Sequence, residues 1–284
     1  MSGGAIDPTL SLYWVQYVAA LIAVGFGIGA LVGMTGVGAG SLMTPVLVAG
    51  FGIHPVVAVG TDLLFACLTK STAAWRHHRL GHVDWHILIW LAVGSAPAAA
   101  VVLGLLAWLD PDTRVLAQML RWLLGAALLV SAAAIVVRPW LLQPSPNPAF
   151  TAWADGEPPT GPAPPALRTT SLVVIGIVLG ALVALTSIGA GAIGVVALTM
   201  LFPLLPAKRI VGTDIVHAIP LTLISGLGHM ALGHVDWRVL AALLVGSIPG
   251  IALGSRVTGR LPEWLLRSLL ATILVIAAAA LWRK

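Results

Sequence analysis

The chain has few charged residues and almost no cysteine. Only 9% of its 284 residues are charged and 59% are hydrophobic, whereas soluble domains carry about 25% charged residues. The single cysteine, Cys67, excludes an intramolecular disulfide and provides no metal cluster. No Lys or Arg precedes Lys70, so we expect no cleavable signal peptide, because such a peptide begins with basic residues. This composition predicts an integral membrane protein.

The apolar residues form five segments in each half of the chain. Most of these segments reach or approach the roughly 20 residues that a helix needs to cross a bilayer. The predicted segments are 11–35, 40–52, 57–76, 86–108 and 115–138, then 170–186, 191–205, 211–230, 238–257 and 263–282. The net charge of +5 comes from basic residues spread singly between these segments, which is typical of topology signals and not of a nucleic-acid partner.

The two halves repeat one another. Residues 81–85, Gly-His-Val-Asp-Trp, recur unchanged as residues 233–237, and the same offset joins residues 59–62 to residues 211–214. Such self-similarity indicates a duplicated structural unit. We therefore predict an all-α membrane protein with an N-terminal repeat (1–138), a proline-rich linker (139–169) and a C-terminal repeat (170–284).

The second segment of each half is short, so the number of crossings is eight to ten. Five crossings per half would turn the second repeat over in the membrane, and this inverted arrangement agrees with the distribution of Lys and Arg, which concentrate in cytoplasmic loops. The N-terminus, which has no Lys or Arg, is then outside and the loop after the third segment is cytoplasmic. A re-entrant second segment, by contrast, would give parallel repeats.

A glycine-rich break precedes each short segment, at residues 35–41 and 186–192. The start of a helix presents unpaired N–H groups and partial positive charge, and glycine lets a ligand approach the backbone. The alternative is that these glycines only allow helices to pack closely. The candidate substrate-binding residues are Gly36, Gly38, Ala39, Gly40, Ser41, Ser187, Gly189, Ala190 and Gly191.

Polar residues inside the third segments are the next candidates. Asp62 and Asp214 either face a cavity and carry protons, or cap the starts of their own helices. Thr61 and Thr213 either donate to a ligand or bond back to their own helix. Lys70 lies two helical turns after Asp62, and it either attracts an anion, pairs with Asp62, or extends to the membrane surface.

Histidines provide further candidates for proton coupling or gating. His217 lies on the helical face of Asp214, while His77 and His229 are repeat equivalents. No histidines have the compact spacing of a metal site, and Asp84 in the segment after His77 has the position of a helix N-cap. We therefore expect no metal and no cofactor.

Together these motifs resemble the TauE/SafE family of sulfite and organosulfonate transporters, also called the toluene sulfonate uptake permease family. The resemblance rests on residues 36–45, 58–61, 81–85 and 94–97 and their second copies, and it covers nearly the whole chain. It implies a multi-pass protein of the cytoplasmic membrane that moves sulfur oxyanions, often outward. One departure is that Ala39 and Ala190 stand where the family often has glycine.

The sequence therefore predicts a transporter, and not an enzyme, that passes sulfite or an organosulfonate by alternating access. Two alternatives stay open: a membrane-embedded metal-dependent enzyme, and a cation transporter that uses Asp62 and Asp214. The sequence leaves the oligomeric state open, with a homodimer as one option.

Overall fold

The computed structural model describes residues 8–35, 42–108, 114–141, 166–203, 205–257 and 262–283. These residues form ten helical elements and, within the described ranges, no strand. In the first half they are α1 (Pro8–Thr35), α2 (Met43–Pro45, continued by a π-helical turn Val46–Gly50), α3 (Pro55–Arg79), α4 (Trp85–Trp108) and α5 (Arg114–Leu141). In the second half they are α6 (Ala166–Thr186), α7 (Ala192–Leu201), α8 (Ala207–Ala231), α9 (Trp237–Val257) and α10 (Glu263–Trp282).

Eight of the described helices are long and apolar enough to cross a membrane, and α7 is a shorter apolar helix. Each predicted apolar segment coincides with a helix, so the all-helical membrane fold is confirmed. The protein is a multi-pass membrane protein. Its long apolar side chains face outward along these helices, as Val101, Ile177 and Ile248 do, because lipid is as apolar as a protein core.

The predicted linker is shorter than expected at both ends. α5 continues to Leu141 and α6 begins at Ala166, whereas the prediction placed residues 139–169 outside the helices. Pro139 lies in the last turn of α5, so the helix continues past it although a proline has no N–H to donate within the helix. The rest of the proposed linker, residues 142–165, lies outside the described residues, so the division into domains stays a prediction.

Small residues join α1 closely to α9. A Cβ added to Gly25 or Gly29 would lie 2.5 Å from a backbone oxygen of Leu243 or Ser247, respectively. The glycines of α9 reciprocate, because Gly250 meets the backbone of α1. Helices in membranes pack this way when small side chains let their backbones approach. Residue numbers rise together along both helices, so α1 and α9 run parallel.

The repeat equivalents of this pair, α6 and α4, pack in the same manner. Gly180 meets the backbone of Ser95 and Gly94 meets that of Val173, again with parallel chain directions. α3 and α8, by contrast, are equivalents of each other and run antiparallel. Gly60, near the start of α3, meets His229 near the end of α8, while Gly226 meets Leu64.

Two reciprocal hydrogen bonds tie the halves together. The backbone N–H of Asp84 donates to the Thr213 hydroxyl over 2.9 Å, and the backbone N–H of Asp236 donates to the Thr61 hydroxyl over 3.0 Å. The side chain of Asp84 accepts hydrogen bonds from the first N–H groups of α4, so its predicted role as an N-cap is confirmed. Each bond thus joins the first turns of the third helix in one repeat to the residue that precedes the fourth helix of the other.

Candidate substrate site

Asp62 is a fully buried carboxylate that faces the short helix of its own repeat. It is the eighth residue of α3, counting from Pro55, so it does not cap the start of that helix. Its Oδ2 accepts hydrogen bonds from the Thr44 hydroxyl at 2.5 Å and from the Thr44 N–H at 3.2 Å. Its Oδ1 has no hydrogen-bond partner among the described residues, although the Ser187 hydroxyl lies beside the carboxylate.

Asp214 has the equivalent position in the second repeat. It is fully buried in α8 and lies against the first turn of α7, where Gly194 leaves the space that the carboxylate occupies. The Gly191 N–H lies near the carboxylate, but within the described ranges neither oxygen makes a hydrogen bond of good geometry. A carboxylate is favourable at this end of a helix because the first N–H groups carry partial positive charge.

Lys70 connects the two repeats at the level of these carboxylates. Its side chain is only 7% exposed, and its Nζ lies 3.4 Å from the carbonyl oxygen of Ala190, in the break of the second repeat. Asp214 and Asp62 are its charged neighbours. The side chain is therefore turned into the protein, which contradicts the alternative in which it extends to the membrane surface.

The second glycine-rich break lies within the described ranges and has an irregular backbone. Ser187, Gly189 and Gly191 have φ angles of 58°, 134° and 117°, which glycine adopts easily and serine rarely. The Thr186 hydroxyl accepts the N–H of Ile188 at 3.1 Å and supports the bend. The predicted residues of the first break, Gly36, Gly38, Ala39, Gly40 and Ser41, lie outside the described residues.

The other predicted residues make their described hydrogen bonds to groups other than Lys70, Asp62 and Asp214. Thr61 and Thr213 accept the hydrogen bonds that join the repeats. His217 is fully buried, and its Nε2 lies 2.9 Å from the hydroxyl of Ser95 on α4. The prediction did not include Ser95 as a site residue, although it belongs to the repeated Gly-Ser-x-Pro motif.

His77 and His229 lie at opposite ends of the antiparallel pair α3 and α8. His229 is 1% exposed, and its Nε2 lies 2.9 Å from the Ala184 carbonyl oxygen. His77 is half-buried and lines a pocket. No group of three or more potential metal ligands occurs in the part of the chain that the structure describes.

The site thus holds Lys70, Asp62 and Asp214, all buried, with Asp62 against α2 and Asp214 against the start of α7. Charged groups inside a membrane protein normally face a partner or a transport pathway. Duplicated units that bring broken helices to a shared polar centre are typical of secondary transporters. The fold and the site together define the chain as a membrane transporter.

Comparison with known proteins gives the family. The family model for the sulfite exporter TauE/SafE matches residues 21–281, and the chain belongs to that family. It is 34% identical to the "Probable membrane transporter protein YjnA" of Bacillus subtilis (strain 168), with 92% of this chain and 98% of the relative covered.

A second relative, the "Probable membrane transporter protein YdhB" of the same organism, is 28% identical over 87% of this chain and 93% of its own length. No solved structure matches the chain significantly.

Proposed function

We propose that the protein exports a small sulfur oxyanion, such as sulfite or an organosulfonate, across the cytoplasmic membrane by alternating access. The observation that carries this proposal is the position of Lys70, which is buried beside the break that precedes α7 and has Asp62 and Asp214 as its charged neighbours. The description of the family as sulfite exporters supports the class of substrate and the direction.

The charges of this group suggest how an anion binds. A site shielded from water favours zero net charge, because an unpaired buried charge is costly. Lys70 with one ionised and one protonated carboxyl group has no net charge. A monovalent anion that pairs with Lys70 restores neutrality only when the second carboxyl group also takes a proton. Each anion then moves together with about one proton, and an anion made in the cell leaves down its own gradient.

The interrupted helices complete the proposed site. Asp214 now occupies the electropositive start of α7, and an oxyanion takes this place when the carboxyl group is protonated and moves aside. The glycines and Ser187 allow the oxyanion to approach the backbone. Thr61 and Thr213 already accept bonds from the other repeat, and each retains a hydroxyl hydrogen for the substrate.

We propose further that the two repeats have opposite orientations in the membrane. The antiparallel directions of the equivalent helices α3 and α8 support this arrangement. The ends of α1 and α3, at Val32 and Arg76, line one pocket. α1 and α3 therefore end on the same side of the membrane. The short second segment must then cross the membrane between them, which favours ten crossings. His77 and His229 then lie at opposite mouths, where a gating role fits.

The proposal is tested by flux of radiolabelled sulfite into proteoliposomes that contain the purified protein. We expect saturable uptake that unlabelled sulfite and short sulfonates compete for, whereas monovalent cations do not. Liposomes without protein correct for passive leakage. Uptake no faster than this leakage, for sulfite and for sulfonates, would contradict the proposed function.

The cation transporter is a second candidate because the site has two carboxylates for one ammonium, and both oxygens of Asp214 lack good hydrogen bonds among the described residues. In this case labelled sodium or rubidium enters the same proteoliposomes, and sulfite does not compete.

A further inference from the structure

A basic pocket opens beside Lys70, which is one of its lining residues. It has a volume of about 490 Å³ and lies between the ends of α1, α3 and α9 and the start of α8. None of its described lining residues is acidic. Its basic side chains and histidines are Lys70, Arg76, His77, His82 and Lys208.

The repeat-equivalent position at the other end of the protein is closed. Arg76 and Ser255 both line the pocket, and their equivalents are Gly228 and Leu103. Leu103 packs so closely on Gly228 that it fills the space of a side chain at residue 228. The same two positions therefore hold two exposed polar side chains at one mouth and an apolar contact at the other.

A second set of equivalent residues has the same asymmetry. Lys208 is exposed at the pocket, and its equivalent Val56 is only 2% exposed. The pocket is thus the open member of a pair of related mouths.

We infer that this pocket is the vestibule through which the oxyanion reaches Lys70, with Arg76 and Lys208 as the residues that collect it. This inference rests on the proposed function. Cations that line a cleft raise the local concentration of an anion and speed its arrival. The exposed Arg76 and Lys208 are at the rim, while Lys70 is buried and marks the inner end.

The charges around this mouth indicate its side of the membrane. Three further basic residues lie on this side of the protein: Arg79 at the end of α3, Arg209 near the start of α8 and Arg256 at the end of α9. Because Lys and Arg concentrate on the cytoplasmic side, the vestibule faces the cytoplasm. The structure then corresponds to the state that loads substrate for export, with the contact of Leu103 and Gly228 as the closed outer gate.

Thiol labelling tests the vestibule without any transported substrate. Both variants are made in a Cys67→Ser background. Ser255→Cys places one thiol in the pocket. His78→Cys places one at the end of α3 that borders the pocket, on a residue that does not line the pocket. Two methanethiosulfonate reagents are compared, one anionic with a sulfonate group and one cationic with a trimethylammonium group. Inside-out and right-side-out membrane vesicles show from which side each thiol is reached.

Relative to the His78→Cys control, we expect the anionic reagent to be favoured about tenfold at Ser255→Cys, and only from the cytoplasmic side. The added pair Arg76→Gln and Lys208→Gln should remove this preference. An equal preference at both thiols, a preference that survives the two substitutions, or labelling from the outside would overturn the inference.

Flux measurements separate the vestibule from the transport site itself. Arg76→Gln with Lys208→Gln should raise the sulfite concentration for half-maximal flux from the cytoplasmic side about tenfold and leave the maximal flux nearly unchanged. Arg79→Gln is the matched control, because Arg79 stacks on Trp75 and does not line the pocket. An unchanged half-saturation would refute the vestibule and leave the transporter intact, whereas absence of wild-type flux would refute the proposed function.

Discussion

The backbone N–H of Asp236 donates a hydrogen bond of 3.0 Å to the hydroxyl of Thr61, which lies 175 positions earlier in the chain. Thr61 is 1% exposed, so Thr61→Val leaves a partly buried N–H without its partner. We expect a loss of about 1–3 kcal/mol of stability, measured by thermal unfolding in detergent. Thr61→Ser keeps the hydroxyl and should unfold near the wild-type temperature. Equal midpoints for the valine and serine variants would contradict this role.

Lys70 stabilises two buried carboxylates, and its loss should therefore affect folding as well as transport. Lys70→Met leaves Asp62 and Asp214 without their charged neighbour, and we expect a loss of about 1–3 kcal/mol of stability, because a buried carboxylate then lacks a compensating charge. Adding Asp214→Asn removes one of the stranded carboxylates and should recover much of the stability. If the single variant is as stable as wild type in chemical unfolding, the three groups are not coupled.

Proton movement with the anion is the next prediction. Methanesulfonate stays ionised, so its uptake into proteoliposomes reports on protons carried by the protein. We expect the lumen to acidify during uptake, as followed with an entrapped pH dye, because neutrality at Lys70 requires a proton on a carboxyl group. Acidification should disappear when both carboxyl groups are replaced, in Asp62→Asn with Asp214→Asn, because no carboxyl group is then left beside Lys70 to take the proton. His217→Gln should retain it, since the described partner of His217 is Ser95. Uptake with no pH change in the wild type would contradict proton coupling.

Close packing of α1 on α9 gives a prediction with an internal control. A Cβ on Gly29 would lie 2.5 Å from a backbone oxygen of α9, whereas a Cβ on Gly27 meets nothing within 4 Å. Gly29→Ala should lower stability by about 1–3 kcal/mol because the helices must separate. Gly27→Ala should be neutral or slightly stabilising, since alanine favours helix. Similar unfolding temperatures for the two variants would show that the helices have room between them.

Much of the fold is predictable from the sequence, for a physical reason. Apolar runs of this length have few alternatives to a helix in a bilayer, because backbone groups in lipid must bond within their own segment. The repeat, visible in residues 81–85 and 233–237, predicts the equivalence of the halves. The helices that pack together across the halves are not predictable in this way, because glycine contacts such as Gly29 with Ser247 depend on the three-dimensional arrangement.

The candidate site was predictable only in part. A lone lysine inside an apolar segment, two turns after an aspartate, predicts a functional group. In the structure Asp62 and Asp214 are the charged neighbours of Lys70. The hydrogen-bond partners of Thr61 and His217 were harder to predict from the sequence, because these partners, Asp236 and Ser95, are distant along the chain. The repeat alignment shows that Arg76 and Lys208 stand where the other copy has Gly228 and Val56, but only the contacts in the structure show which of the two mouths is open.

The central claim is that Lys70 binds the transported oxyanion. Its most direct test is counterflow of radiolabelled sulfite in proteoliposomes with the wild type and with Lys70→Met combined with Asp214→Asn, the pair chosen to preserve folding. We predict exchange by the wild type and at least a tenfold loss in the folded double variant, about 1.4 kcal/mol or more of lost interaction. Asp214→Asn alone serves as the control and should retain exchange, which needs no net proton movement. Wild-type exchange rates in the double variant would contradict the claim.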